Sequence, residues 1–153
     1  MQLKRQCSVN TVWPRTVSQE LQLSGALNSG VTGNGSSEHF AEYEFRCPCG
    51  NCKRIPGKES TNAKLLMILE GLRSYYGKPV TITSGQRCAS YNSRVGGISN
   101  SAHKTGKAAD FYIPGICDSV AGRNQVIAKA RALGAAYSYG NTPGMGNAVH
   151  INV

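Results

Sequence analysis

Apolar residues spaced by three and four positions predict two amphipathic helices. The first covers the leucines of residues 65–72, with Ser60 or Thr61 as its N-cap and Gly77 as its end. The second is predicted over residues 119–133 and stops before a glycine. The inward positions are Leu65, Leu66, Leu69 and Leu72 in the first helix and Val126, Ile127, Ala130 and Leu133 in the second. We expect both helices to be scaffold around one hydrophobic core.

Shorter apolar stretches predict three strands. Residues 79–83 form a β-branched run that leads into a Ser-Gly turn, and residues 109–113 indicate a buried strand. Residues 148–153 alternate between apolar and polar types. On this last strand His150 and Asn152 would share one face, with the valines and the isoleucine on the other.

Two further segments have the composition of loops or linkers. Residues 137–146 contain three glycines and a proline, which predicts a flexible loop before the last strand. Residues 1–36 are rich in glycine, serine, threonine and asparagine and predict an extended N-terminal arm or linker. We therefore expect a single folded domain over residues 37–153. Its predicted helices and strands indicate the α+β class.

The overall composition narrows the choice of partners. The chain has 153 residues, 40% of them hydrophobic, which is enough for one core but not for two. No apolar run is long enough to cross a membrane, and no apolar segment follows Lys4 and Arg5, so we expect neither a membrane span nor a secretory signal. The net charge of +9 favours a polyanionic partner. Because the basic residues are scattered and form no nucleic-acid motif, sequence-specific nucleic-acid binding is not expected.

Two histidines and an aspartate form a candidate metal site. His103 and Asp110 lie close together around Gly106, and His150 lies on the predicted last strand. Zn²⁺ binds imidazole nitrogen and carboxylate oxygen, and a catalytic zinc site keeps three protein ligands and an open fourth position for water. The three residues therefore predict a zinc site. The alternative is that they are ordinary hydrogen-bonded residues.

From about His39 to Val153 the chain carries ordered blocks that match one enzyme family. The blocks are Phe45-Arg46-Cys47-Pro48-Cys49-Gly50-Asn51-Cys52, Lys78-Pro79-Val80-Thr81-Ile82-Thr83-Ser84-Gly85-Gln86-Arg87-Cys88, Tyr91-Asn92, Val95-Gly96-Gly97, Ser99-Asn100-Ser101-Ala102-His103 with Gly106, Ala108 and Asp110, and Val149-His150-Ile151. In these blocks the chain resembles the zinc D-Ala-D-Ala carboxypeptidase and endolysin peptidase family, which shares its fold with the hedgehog signalling domain and the lysostaphin-type enzymes. The resemblance implies a hedgehog/DD-peptidase-like α+β fold, in which helices flank a small antiparallel sheet, and hydrolysis of peptidoglycan peptides at Zn²⁺. It also implies that His103, Asp110 and His150 are the metal ligands.

The resemblance suggests roles for two residues beside the metal. Arg87, in the Ser-Gly-x-Arg block, is similar to the residue that holds a substrate carboxylate, and a structural ion pair is the alternative. Ser101 lies two positions before His103 and is expected to orient a ligand or the substrate through a hydrogen bond. The tyrosines expected in the core or at the rim of the site are Tyr91, Tyr112, Tyr137 and Tyr139.

The chain departs from the family pattern at the expected catalytic carboxylate. Relatives place a carboxylate three residues before the last histidine or two after it, where it takes a proton from the attacking water and passes it to the leaving amine. Those positions are Asn147 and Asn152, and an amide cannot accept that proton at neutral pH. The remaining candidates, which no motif places, are Asp118, Glu38, Glu42 and Glu44. We therefore expect the zinc-site fold and leave catalytic turnover open.

Two functions are consistent with these patterns. The first is a zinc metallopeptidase that cleaves peptidoglycan stem peptides, as a carboxypeptidase or an endopeptidase, in cell-wall lysis. The alternative is a catalytically lapsed zinc-fold protein that serves as a structural component of a phage virion or binds the cell wall. Because no secretory signal is expected, we favour a phage protein that is carried in the virion or released to the wall by host lysis. The expected partners are peptidoglycan, anionic wall polymers such as teichoic acid, and other virion proteins through residues 1–36.

The six cysteines allow more than one arrangement. The segment Cys47 to Cys52 could be half of a structural zinc knuckle, with Cys88 as the fourth ligand. We favour disulfides or free thiols over this second metal, since family members often carry cysteines in these blocks. Cys7 and Cys117 belong to no motif.

Overall fold

The structure is a computed structural model that describes residues 35–50, 52 and 61–153. It has the expected α+β architecture, with helices beside a small antiparallel sheet. The helices are α1 (Ala63–Tyr76), α2 (Ala89–Arg94) and α3 (Val120–Ala132), with short 3-10 helices at Glu42–Phe45 and Ala102–Thr105. The strands are β1 (Thr81–Ser84), β2 (Ala108–Tyr112), β3 (Tyr137–Gly140) and β4 (Val149–Asn152).

Helix α1 confirms the predicted leucine stripe but not its predicted cap. The side chain of Asn62 accepts a hydrogen bond from the backbone N–H of Lys64 at 2.9 Å, so the N-cap is Asn62. Asparagine caps a helix at least as well as serine or threonine, which explains the error. Thr61 is buried and Ser60 lies outside the described residues. Gly77 ends the helix as predicted, in the left-handed conformation at φ 59°.

Helix α3 agrees closely with the prediction. The hydroxyl of Ser119 caps it by accepting from Gly122 N at 3.0 Å, and the chain turns away at Gly134 with φ 105°. Of the four residues predicted to face inward, Val126 and Ala130 are fully buried and the other two are partly buried. The helix is therefore part of the core, as expected.

The sheet order β1-β2-β4-β3 places the three predicted strands side by side. All neighbouring strands are antiparallel. The register pairs Asp110 with Ser84 on one side and with His150 on the other, and His150 in turn pairs with Tyr139. Because directly paired residues project from the same face of a sheet, these four side chains form one row across it.

The two faces of the sheet have opposite characters. Ala109 and Phe111 of β2, together with Val149 and Ile151 of β4, are fully buried and join the core formed with α1 and α3. Asp110 and His150 alternate with them and therefore project from the other face. The alternation predicted for residues 148–153 is confirmed, and it is what turns the polar residues away from the core.

The predicted loop over residues 137–146 is wrong in its first part. Residues 137–140 form the edge strand β3, which pairs with β4, and only the residues after Gly140 form a connection. Alternating tyrosines favour a strand, and Ser138 between them is fully buried. The glycines of residues 137–146 favoured a loop, and for that reason the strand was not predicted.

Two further expectations concern the N-terminal arm and a membrane span. The N-terminal arm predicted for residues 1–36 lies outside the described residues except for its last two positions. Among the residues that are described, none of the helices combines the length and the apolar composition needed to span a membrane.

Candidate metal centre

Three elements bring His103, Asp110 and His150 together. His103 lies in the 3-10 helix Ala102–Thr105, which Gly106 closes with a left-handed φ of 68° immediately before β2. Asp110 lies in β2 and His150 is its direct partner in β4. Both histidines are buried, with exposed fractions of 2% and 6%. The three sequence-predicted ligands therefore form one group, although His150 follows Asp110 by 40 positions.

The side-chain atoms of this group approach each other closely. Nε2 of His103 lies 3.3 Å from Nδ1 of His150 and 3.4 Å from Oδ1 of Asp110. Nδ1 of His150 lies 2.7 Å from the same Oδ1. All three atoms thus face a common point, which is the arrangement that a small cation requires.

A backbone carbonyl determines the tautomer of His103. Nδ1 of this ring lies 2.6 Å from the carbonyl oxygen of Gly85. A carbonyl oxygen can only accept, so Nδ1 must carry the proton. In the neutral ring Nε2 is then unprotonated and presents its lone pair to His150 and Asp110. This is the usual arrangement of a metal-binding histidine, whose other nitrogen donates to a carbonyl or a carboxylate.

Asp110 is held in its ionised form. Burial by itself would raise the pKa of this carboxyl, but its interactions with His103 and His150 outweigh burial and hold the pKa well below its usual range. Its second oxygen, Oδ2, accepts from Nη2 of Arg87 at 2.6 Å. Nε of Arg87 donates to the hydroxyl of Ser84 at 2.9 Å. The structure therefore gives Arg87 the ion pair that the sequence left as its alternative role.

The donor set fits a zinc ion. Zinc bonds to nitrogen and oxygen of about 2.0–2.2 Å in a tetrahedron require ligand atoms about 3.3–3.5 Å apart. The two separations from His103 Nε2 meet this requirement, and the third separation is shorter because Asp110 and His150 are hydrogen-bonded to each other. If a cation replaced the proton between Asp110 and His150, its ligands would be two imidazoles and one carboxylate. This is the ligand set of a catalytic zinc site.

The group lies in an open cleft of about 800 Å³. Its lining includes the segments Val95–Ile98 and Thr142–Met145. Ser101 lines the cleft, as do Tyr112, Tyr137 and Tyr139, whereas Tyr91 is not among its lining residues. The ring of Tyr139 stacks on His150 with centroids 4.6 Å apart and planes inclined by 29°. His103, Asp110 and His150 therefore line a cleft that is large enough for a substrate, and Tyr139 covers one face of His150.

Comparison with known protein families agrees with this geometry. A family model described as Peptidase M15 matches residues 38–151. The chain belongs to the peptidase M15 family. Members of this family are zinc peptidases, and their substrates are related to peptidoglycan. A search of curated proteins found no match.

The expected M15 catalytic carboxylate has no substitute among the described residues of the cleft. Asn147 and Asn152 both line it, and Asp110 is the only carboxylate among the described residues that do. Asn147 Oδ1 accepts from Nη1 of Arg123 at 2.8 Å. Asp118 lies elsewhere and accepts from the Tyr112 hydroxyl at 2.6 Å. The other carboxylates considered from the sequence, Glu38, Glu42 and Glu44, also lie outside the lining of the cleft.

Sequence reasoning missed two contributors to this M15 site, the Gly85 carbonyl and the Arg123 guanidinium. It expected Tyr139 in the core or at the rim but did not predict that its ring stacks on His150. The alternation Tyr-Ser-Tyr was a usable signal for Tyr139, since it predicts an edge strand with both tyrosines on one face. No pattern pointed to Gly85 or Arg123, because their contacts join residues 18 and 24 positions apart.

Proposed function

We propose that this chain is a zinc peptidase that cleaves the stem peptides of peptidoglycan. The observation that carries the proposal is the convergence of His103 Nε2, Asp110 Oδ1 and His150 Nδ1 in the lining of an open cleft. When bound there, zinc would act as a Lewis acid on the scissile carbonyl and lower the pKa of water. Membership of the M15 family supports this class of substrate.

The protein's own residues would orient the site and the substrate. Gly85 holds the proton of His103 on Nδ1, and Arg87 fixes the rotation of the Asp110 carboxylate. Nε and Nη2 of Arg87 donate to Ser84 and Asp110, so a substrate carboxylate would meet the remaining N–H groups, which are those of Nη1 and the second one of Nη2. Ser101 lines the same cleft, where its hydroxyl would contact the peptide. The Tyr139 ring would shield His150 from water on one side.

A second candidate function is a lapsed enzyme that keeps the zinc-binding fold as a wall-binding or virion component. The observation that favours it is the pair of amides at Asn147 and Asn152, where a general base would be needed. Nη1 of Arg123 already donates to Oδ1 of Asn147, so this amide has a structural partner. Under this proposal residues 1–36 would contact other virion proteins, and the positive charge would favour anionic wall polymers.

Digestion of purified sacculi tests the first proposal. The zinc-loaded protein is incubated with sacculi, and the released fragments are identified by mass spectrometry, with His150→Ala as the inactive control. Stem-peptide products that are absent from the control would establish the peptidase and name the bond. Their termini would also distinguish a carboxypeptidase from an endopeptidase.

A parallel binding measurement separates the two functions. If no fragments are released, sedimentation of the protein with intact sacculi shows whether it still binds the wall. Binding without release would support the lapsed enzyme. Absence of both would contradict the peptidase and the wall-binding form of the second proposal. Digestion of the same sacculi by any active peptidoglycan peptidase serves as the control for substrate quality.

A further inference from the structure

A second group of potential ligands lies outside the cleft. The sulfur atoms of Cys47, Cys49, Cys52 and Cys88 all lie within 4.8 Å of one another. The first three come from the segment after the 3-10 helix Glu42–Phe45, and Cys88 is the N-cap of α2. None of the four lines the cleft that contains His103 and His150. The fold therefore gathers four thiols from two distant segments at one point.

The spacing of the sulfur atoms distinguishes a metal site from disulfides. A disulfide needs two sulfurs at about 2.05 Å, and it draws cysteines together in pairs. The described cysteines form no disulfide, and the sulfurs of Cys49 and Cys52 are 3.0 Å apart. Four thiolates around zinc at bonds of about 2.3 Å would be separated by about 3.8 Å along each edge of the tetrahedron. The separation of Cys49 and Cys52 is shorter than this edge, but all four sulfurs are mutual neighbours, which is the arrangement of a four-ligand site and not of two separate pairs.

Backbone amides point at three of the four sulfurs. The N–H of Cys88 donates to the sulfur of Cys47 at 3.3 Å, and the N–H of Cys52 donates to that of Cys49 at 3.3 Å. The N–H of Tyr91 donates to the sulfur of Cys88 at 3.4 Å. Hydrogen bonds from N–H groups stabilise a thiolate, which is the form that binds a metal. The backbone is thus arranged to receive anionic sulfur.

We propose that Cys47, Cys49, Cys52 and Cys88 bind a structural zinc ion, distinct from the one proposed for His103, Asp110 and His150. Four thiolates complete the coordination of zinc and leave no open position, so this site would be structural. The inference does not depend on peptidase activity. The sequence alone favoured disulfides or free thiols over a metal at these cysteines, and the positions of the four sulfurs reverse that preference.

This site would fix the segment that supports the cleft. Gln86 N donates to the Phe45 carbonyl at 2.7 Å, so the two segments that carry the cysteines already run side by side. Between that contact and Cys88 lies Arg87, which holds Asp110. Gly85, whose carbonyl holds His103, immediately precedes Gln86. Zinc at the four cysteines would therefore keep Gly85 and Arg87 in position.

Zinc counting tests the proposal. The protein is purified under reducing conditions and dialysed, and bound zinc is measured by plasma mass spectrometry. We expect two zinc ions per chain in the unmodified protein, one in Cys88→Ser, one in His150→Ala and none when both changes are combined. Cys117→Ala is the matched control, because Cys117 is a core cysteine outside the cluster, and it should retain both ions.

Cobalt substitution identifies the ligands independently of zinc content. In the cobalt-loaded His150→Ala variant we expect the intense near-ultraviolet band of cobalt–thiolate ligation, and in Cys88→Ser we expect that band to be lost or strongly reduced. If Cys88→Ser fails to fold, Cys52→His supplies a second variant, since a histidine can replace one thiolate and should retain the metal with an altered spectrum. A zinc-free His150→Ala variant would overturn the proposal. So would a mass for the non-reduced protein that shows the cluster joined in disulfides.

Discussion

The Asp110 carboxylate is shared between Arg87 and His150. Oδ2 accepts from Nη2 of Arg87 at 2.6 Å, and Oδ1 faces Nδ1 of His150 at 2.7 Å. The guanidinium is itself fixed, since its Nε donates to Ser84 at 2.9 Å. Arg87 thereby determines which oxygen of Asp110 is presented to the two histidines.

Replacement of Arg87 by lysine should weaken zinc binding at the His103 site. Lysine keeps the charge but cannot contact Ser84 and Asp110 at once, so the Asp110 carboxylate would be free to rotate. Loss of such an outer partner lowers metal affinity by about 10- to 100-fold. Competition with a chromophoric chelator measures the change in the Cys88→Ser background, where only this site should bind zinc. Ser84→Ala should have a smaller effect, and an unchanged affinity in Arg87→Lys would assign the arginine to the substrate alone.

Gly85 should not tolerate a side chain. A Cβ added there would lie 2.5 Å from Cα and 2.6 Å from the carbonyl oxygen of Phe45, both of which are backbone atoms that cannot move aside. We expect Gly85→Ala to lower the free energy of unfolding by about 1–3 kcal/mol, measured by urea denaturation. Zinc affinity should fall as well, because the Gly85 carbonyl holds His103. Gly140→Ala is the matched control, since the nearest atom would be 3.4 Å away, and it should be nearly neutral.

Restoring a carboxylate should raise turnover more at position 152 than at position 147. An aspartate at 147 would meet Nη1 of Arg123, which contacts the Asn147 oxygen at 2.8 Å, and this charge would lower its pKa and make it a poor base. Position 152 lies in β4 two residues after His150, on the same face of the sheet. A positioned base contributes about 10²- to 10⁴-fold to the rate. Sacculus digestion rates for Asn152→Asp and Asn147→Asp test this order, and a larger gain at 147 would contradict it.

Glu70 should make stability depend on pH below neutrality. Its carboxylate accepts from the Ser37 hydroxyl at 2.7 Å and from N and Nδ1 of His39, each at 2.8 Å. Burial would raise the pKa of Glu70, but these hydrogen bonds outweigh it and the pKa is lowered. A carboxyl with a lower pKa in the folded state stabilises the protein fully above its unfolded pKa, about 4.3, and the stabilisation is lost as pH falls through the folded pKa.

Glu70→Gln measures that contribution directly. At neutral pH it should lower the free energy of unfolding by about 1–3 kcal/mol, because it removes charge-assisted hydrogen bonds in a buried position. Urea denaturation from pH 7 to pH 3 should show the difference from the unmodified protein shrinking below about pH 4.3. A difference that is constant over this range would mean that the charge of Glu70 is not the cause.

The sequence predicted the regular elements where one physical signal dominated. The leucine stripe of residues 65–72 and the glycines that follow the two longer helices placed α1 and α3 within a few residues. β3 was missed because its glycine-rich surroundings indicated a loop, although its pairing with β4 makes it a strand. Edge strands depend on a partner from elsewhere in the chain, so local composition describes them poorly.

The donor chemistry at His103, Asp110 and His150 could be predicted from residue identity, and so could the lack of a carboxylate at Asn147 and Asn152. These are properties of residue types, and they do not depend on packing. The arrangement of the donors, in contrast, depends on the tertiary structure. The pairing of β2 with β4 sets Asp110 opposite His150, Gly85 fixes the proton of His103, and the contact of two distant segments gathers the four cysteines. Each of these is a long-range contact whose geometry follows from the register of the sheet and the closure of the core.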